Sequence, residues 1–242
     1  MENTVVVGFG YKARNGKDEA VKAILAARSG QYDVRRYAFA DALRREVTAA
    51  AQAAGGMLEL FKQGGVFETH DVNSQYRKGD FTSFPAWVQF DPNAEVSEQY
   101  PLGKQRLLLQ WWGTEYRRAQ DANYWVKRLD ETLKAEKPRI ALVTDLRFPN
   151  EVSWVKQDPA SGFVCRVDRL GYKSDIPVHY SEKALDFMGD EDWHFIVQVN
   201  DGDVDELRRD AVVVFDLIVE SLTPPDLHDL EVAQQLVSVT AS

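Results

Sequence analysis

Residues 4–30, TVVVGFGYKARNGKDEAVKAILAARSG, constrain the fold more than any other stretch of the chain. Thr4 to Gly8 is short, β-branched and uninterrupted, which is the pattern of a strand buried on both faces. From Lys17 the spacing changes. Ala20, Val21, Ile24 and Leu25 fall on one helical stripe, and Gly30 stands where a helix stop belongs. Between strand and helix lies a loop rich in glycine and basic residues. That order brings backbone N–H groups and a positive helix N-terminus to one point, an arrangement suited to binding an anion.

The loop is close in spelling to GxxxxGK[ST]. Gly16-Lys17 sits at the junction with the helix, where Lys17 would reach the β- and γ-phosphates of a nucleotide. Counting back from Gly16, the first-glycine position holds Tyr11, and Gly10 lies one residue further away. The expectation is a loop lengthened by one residue, with Gly10 supplying the unusual backbone turn. Asp18 and Glu19 follow Lys17 where a hydroxyl is usual. A carboxylate is also a hard oxygen ligand for Mg²⁺, and its repulsion of a triphosphate is partly offset by Lys12, Arg14 and Lys17. The competing reading is a basic surface turn that caps a helix. Asp145, at the end of RIALVTD, is where a second carboxylate would hold Mg²⁺ through water; its alternative is an ordinary cap or turn acid.

Beyond the loop, strands alternate with helices. YDVRRYAF, RIALVTD, GFVCRVDRL and HFIVQVN read as strands. Helices are expected over about Ala40 to Ala54, in two segments meeting near Asp121, and in DVDELRRDAVVVFDLIVESL. In the last of these Leu207, Ala211, Val214, Ile218 and Leu222 point inward, and Asp203 with Glu206 has capping-box spacing. The alternation predicts an α/β sandwich with a mainly parallel sheet. Residues 1–222 read as one domain. The aromatic, aperiodic stretch 62–104 reads as an inserted, partly mobile arm, and 223–242 as a tail.

Composition narrows the function classes. A single cysteine, Cys165, excludes an internal disulfide and a cysteine-rich metal site, and four scattered histidines make no zinc motif. No apolar run is long enough for a membrane span. TVVVGFG has neither a basic n-region nor a cleavage pattern, so the cytoplasm is the expected compartment. The net charge of −9, from 29 basic against 38 acidic residues, argues against a partner that is a long polyphosphate backbone. The Arg-Arg pairs at 35–36, 44–45, 117–118 and 208–209 are where a basic face would form; 35–36 and 208–209 read as solvated faces.

FADAL after the second strand, LLQWWGTEYRR with DANYWV behind it, TDLRFPNEV, and HYSEKAL followed by VNDGDVDEL occur in this order. Together with ARNGKD they resemble the P-loop deoxynucleoside monophosphate kinases of tailed bacteriophages, from about Val5 to Leu222. The resemblance implies an adenylate-kinase-like P-loop NTPase fold with a monophosphate-binding insertion and a lid near 169–190. It implies transfer of the γ-phosphoryl of ATP, with Mg²⁺, to a deoxynucleoside 5′-monophosphate in the host cytoplasm, by a homodimer without nucleic acid or membrane partners. GKD in place of GK[ST] is a habit of that family, although Glu19 stands where it usually has Ser or Thr.

By matching position, Gly10, Arg14, Asn15, Gly16, Lys17, Asp18 and Glu19 would line the ATP phosphates, with Asp18 and Asp145 at Mg²⁺. Lys12 would reach toward the acceptor phosphate, Asp41 and Arg44 would face the acceptor, and Arg117 or Arg118 would hold its phosphate. Asp145, Arg147, Asn150 and Glu151 would form a central polar cluster, Arg169 would be a lid arginine acting beside Lys17 and Asp145, and His179, Ser181 and Glu182 would lie on the lid's return side. Trp125 is the stacking candidate for the base, whereas Trp111 and Trp112 read as core; Phe81, Phe84 and Trp87 are candidates to close over it. Plainer readings are a helix start at Ser181-Glu182, an Arg147–Glu151 ion pair, and Glu115 capping or pairing with Arg118. Other classes that share the loop are a kinase acting on DNA and a nucleotide-binding module without turnover. A GTPase is disfavoured because no NKxD-type signature occurs.

Overall fold

The computed structural model describes residues 4–63, 66–69, 77–80, 84–172 and 179–222. His70, Phe81, part of the expected lid and the tail lie outside them. The chain divides into two compact units, one made by the segments up to Phe39 and from Val126 onward, the other by Ala40–Trp125.

The first unit is built on a five-stranded, all-parallel sheet. In chain order its strands are β1 (Val5–Gly10) and β2 (Val34–Tyr37), then three later ones after an excursion through the second unit. The excursion comprises α2 (Phe39–Ala53, whose first residue belongs to the first unit), α3 (Met57–Gln63), an antiparallel hairpin β3 (Val66–Thr69) and β4 (Arg77–Asp80), and α4 (Arg106–Trp111). α1 (Lys17–Arg28) links β1 to β2. After α5 (Tyr124–Glu136) come β5 (Ile140–Leu146), α6 (Pro149–Val155), β6 (Gly162–Leu170), β7 (Phe195–Asn200) and α7 (Val204–Ser221). The sheet order is β2-β5-β1-β6-β7. β1 is central and wholly buried, which is why its sequence is an unbroken apolar run rather than an alternation.

Helices cover both faces of this sheet. Val5, Val7 and Phe9 face the stripe Ala20, Val21 and Ile24 of α1 and the stripe Leu207, Ala211, Phe215 and Ile218 of α7, all in one core. The inward residues expected on α7 are buried. On the other face, a Cβ added to Gly8 would press on Leu146 and on Val155 of α6. The capping box at Asp203 does not form: Asp203 is the cap residue, but its side chain makes no cap hydrogen bond.

In the second unit, the two expected helical segments are α4 continuing into a π-helix over Trp112–Arg118, and α5 beginning at Tyr124. Glu46 of α2 is the hub of this unit. Its carboxylate accepts hydrogen bonds from Trp112 Nε1 at 2.9 Å, Tyr124 OH at 2.7 Å and Arg117 Nε. Part of the expected arm is packed: Phe84 meets Phe61 and Trp111, and the Gln105 amide exchanges two 2.8 Å hydrogen bonds with the Asp91 backbone. Trp87 is exposed.

Candidate functional site

Parallel pairing places the glycine-rich loop, as it leaves β1, between the ends of β5 and β6. Gly8 lies opposite Val143, and Gly10 opposite Leu146 across an irregularity in register, so Asp145 and Arg147 stand beside the loop's start. On the other side Gly10 is opposite Arg166. Ligands of open α/β sheets bind at this edge, outside the carboxyl ends of the strands.

The loop's backbone corrects one expectation. The left-handed turn is made by Tyr11, with φ of 90°, and not by Gly10. The loop therefore keeps the GxxxxGK length, with a tyrosine in the position where glycine costs least. Gly10 is small for another reason: a Cβ there would lie 2.7 Å from Trp193 Cη2. Arg14, at φ 60°, and Gly16, at φ 95°, are also left-handed. Gly16 is the N-cap of α1, and a Cβ on it would meet Leu207 Cδ2 at 2.4 Å.

Side chains fasten the loop from three directions. Asn15, buried, donates its amide to the carbonyl of Val167 at 2.9 Å. Arg169 donates to the carbonyl of Arg14 at 3.1 Å and is itself braced by Asp201 and stacked over the Tyr172 ring. The Ala13 N–H donates to Glu182 Oε2 at 2.7 Å. That same oxygen accepts from the Arg147 guanidinium.

Lys17 is buried at the head of α1 and turns its ammonium to the carbonyls of Tyr11, at 3.2 Å, and Lys12. Burial, reinforced by the nearby Arg147 charge, lowers its pKa to about 7; Glu182, Asp18 and Asp145 act in the opposite sense. Glu182 is pushed up by burial, but Arg147, the Ala13 amide and Lys17 more than reverse this and hold it below its ordinary value. Lys17, Asp18, Asp145, Arg147 and Glu182 thus form one electrostatic cluster around the loop.

Asp18 is largely exposed, with Arg36 Nη2 at 4.0 Å. Asp145 Oδ1 accepts the Phe39 N–H at 2.8 Å. Among the described residues no three His, Cys, Asp or Glu side chains gather as a metal cage. A nucleotide-borne Mg²⁺ needs no cage, because it keeps several waters and takes one or two carboxylates.

Several expected site residues have other partners. Glu19 is bound to Arg208 of α7 at 2.9 Å, its carboxylate drawn to the helix rather than the loop. Glu151 is buried at the third position of α6 and accepts the backbone N–H groups of Arg147 and Phe148, so the Arg147 ion pair is with Glu182 and not Glu151. Lys12 pairs with Asp186 at 3.4 Å. In the second unit Arg44 is held by Asp41 at 2.7 Å and Tyr100 OH at 3.1 Å. Arg117 is buried on Glu46, whereas Arg118 is partly exposed. Trp125 is core, with its Nε1 bonded to the Gly113 carbonyl at 2.8 Å. Ser181 and Glu182 are the second and third residues of a three-residue 3₁₀ turn, Tyr180–Glu182, capped by His179, rather than the start of a helix.

No protein-family profile matches the chain. The deoxynucleoside-5′-monophosphate kinase of Escherichia phage T5 is 27% identical to it over 179 residues, covering 61% of this chain and 70% of that protein. The likeness supports a kinase-like relationship. Among the described residues, no helix is long and apolar enough to cross a membrane.

Two residues of this neighbourhood escaped sequence reasoning. Arg36, read as a solvated residue, lies 3.4 Å from Thr144 Oγ1 and reaches toward Asp18. The usable signal was its place at the carboxyl end of β2, the edge where ligands bind. Trp193 covers Gly10 from a loop 183 positions away in the chain, and no local pattern marks it.

Proposed function

We propose that this protein is an ATP-dependent kinase that phosphorylates a deoxynucleoside 5′-monophosphate. The observation that carries the reading is the buried Lys17 at the junction of the central-strand loop and α1, with Asp145 and Arg147 at the end of the adjacent strand. The T5 relative's name supports the choice of acceptor. So does the local neutralisation of one arginine in each Arg-Arg pair: Arg35 by Asp33, Arg44 by Asp41, Arg117 by Glu46 and Arg208 by Glu19. Such arginines do not add up to a face for a nucleic-acid strand.

In this reading an oxygen of the acceptor phosphate attacks the γ-phosphorus of ATP, and the bond to the β–γ bridging oxygen breaks, its electron pair leaving with ADP. The attacking oxygen is already ionised, so no general base is needed. The transition state is loose, and catalysis rests on positioning and charge neutralisation. The loop amides and Lys17 hold the triphosphate, Arg147 neutralises the transferred group, and Arg169 and Asn15 keep the loop in shape. Mg²⁺, held by Asp18 and Asp145 directly or through water, would supply further neutralisation of the phosphates. Arg44, Asp41 and Arg118 bind the deoxynucleotide, with Arg118 rather than the buried Arg117 on its phosphate.

The test supplies ATP and Mg²⁺ with each deoxynucleoside monophosphate separately, and with single- and double-stranded DNA. ADP release is expected with one or more monophosphates and not with DNA. Turnover on DNA alone overturns the proposal. Lys17→Ala is expected to lower kcat/KM by at least a hundredfold, equivalent to about 3 kcal/mol.

A further inference from the structure

The donors around the loop converge on a group the chain itself supplies. One oxygen of Glu182 accepts both the Ala13 N–H, at 2.7 Å, and the Arg147 guanidinium. Ala13 lies within the loop, Arg147 follows the strand beside it, and the Lys17 ammonium is close enough to feel the Glu182 charge. An amide N–H, a guanidinium and a buried ammonium together make a site for a tetrahedral anion. The Glu182 carboxylate accepts from two of these, the Ala13 N–H and the Arg147 guanidinium, while the Lys17 ammonium donates to the Tyr11 and Lys12 carbonyls. A second pin, Lys12 to Asp186, holds the same returning segment to the loop.

We infer that the Glu182 carboxylate stands in the place of the terminal phosphoryl group of the nucleotide and is displaced when the triphosphate binds. This inference rests on the phosphate loop binding ATP as proposed above. The physical reason is competition for donors. A terminal phosphate carries more charge and more acceptor oxygens than a carboxylate, so it takes the Ala13 N–H and Arg147. The two anions would repel if both remained. Triphosphate binding therefore releases residues 179–186 from the loop, and the Glu182 charge weakens ATP binding by the work of moving it.

The full-length protein and its Glu182→Gln variant separate this role from simple bracing of Arg147. Calorimetric titration with Mg²⁺ and the non-hydrolysable β,γ-imido analogue of ATP is expected to show the variant binding about tenfold tighter, with ADP affinity changed less than about threefold, because ADP lacks the competing group. Unchanged or weaker binding of the triphosphate analogue by the variant overturns the inference while leaving the kinase reading intact. Failure of both nucleotides to bind wild-type protein overturns both. If the variant does not fold, hydrogen exchange on wild-type protein decides: on adding the analogue, exchange should fall in residues 11–17 and rise in 179–186. Protection of both segments overturns the inference.

Discussion

The indole of Trp193 fills the space in which any side chain on Gly10 would have to stand, with two of its ring carbons within 3 Å of that Cβ position. The last residue of the central strand is thus kept bare by a residue from the loop that leads into the edge strand β7. Gly10→Ala is expected to destabilise the protein by about 1–3 kcal/mol through overpacking. In a Trp193→Ala background the same change should cost less, because, of the crowding atoms, only Leu146 Cβ, at 3.1 Å, remains. Urea denaturation of the four proteins in a double-mutant cycle measures the difference.

Burial of Lys17 links stability to pH. Its folded-state pKa of about 7 lies below the 10.5 of an unperturbed lysine, so between these values the unfolded chain binds more protons than the folded one. Stability from this group therefore rises with pH across that window, and the burial penalty is fully present below pH 7. Lys17→Met should be more stable than wild type at pH 6.5, by roughly 2–4 kcal/mol, with the gap closing toward pH 10. If ATP binds through the Lys17 ammonium as proposed, wild-type affinity should fall as pH rises above 7, with proton uptake on binding. Calorimetry in buffers of different ionisation enthalpy reads that uptake.

Adjacent arginines of the π-helix should behave oppositely. Arg117→Ala strands the Glu46 carboxylate in a buried setting and should cost about 3–5 kcal/mol in thermal or urea unfolding. Arg118→Ala should cost less than Arg117→Ala, because Arg118 is not fully buried. If Arg118 holds the acceptor phosphate, its variant raises the KM for the monophosphate at least tenfold and that for ATP less than threefold.

Glu19 occupies a position of the loop motif yet is tied to Arg208. This solvent-screened pair is expected to contribute little to stability. Glu19→Ala should keep kcat/KM within about threefold of wild type, measured by ADP release. A loss of a hundredfold would return Glu19 to the nucleotide phosphates.

Some of the site was legible because its signal is local. β1, the loop, Lys17 and α1 are contiguous, and Asp145 stands near the end of a buried strand, so periodicity and the loop's motif spacing picked them out, and the β1–β5 pairing put them on one sheet edge. The partners of the charged groups were not legible. Arg147 is nearer in sequence to Glu151 than to Glu182, and the helix-start spacing pointed there; burial at the head of α6 instead made Glu151 serve backbone N–H groups. Trp125 and Arg117 have residue types suited to a ligand, and only packing reveals that Gly113 and Glu46 already occupy them.

The sequence by itself determined the alternation of strands and helices, the parallel sheet and the glycine-rich turn between β1 and α1, because each is written in spacings of a few residues. The tertiary structure decided that Tyr11 makes the left-handed turn, that Trp193 holds Gly10 bare, and that Ala13 faces a carboxylate 169 positions away. Pairing of charges and filling of space depend on which distant segments the fold brings together, and no short-range pattern carries that information.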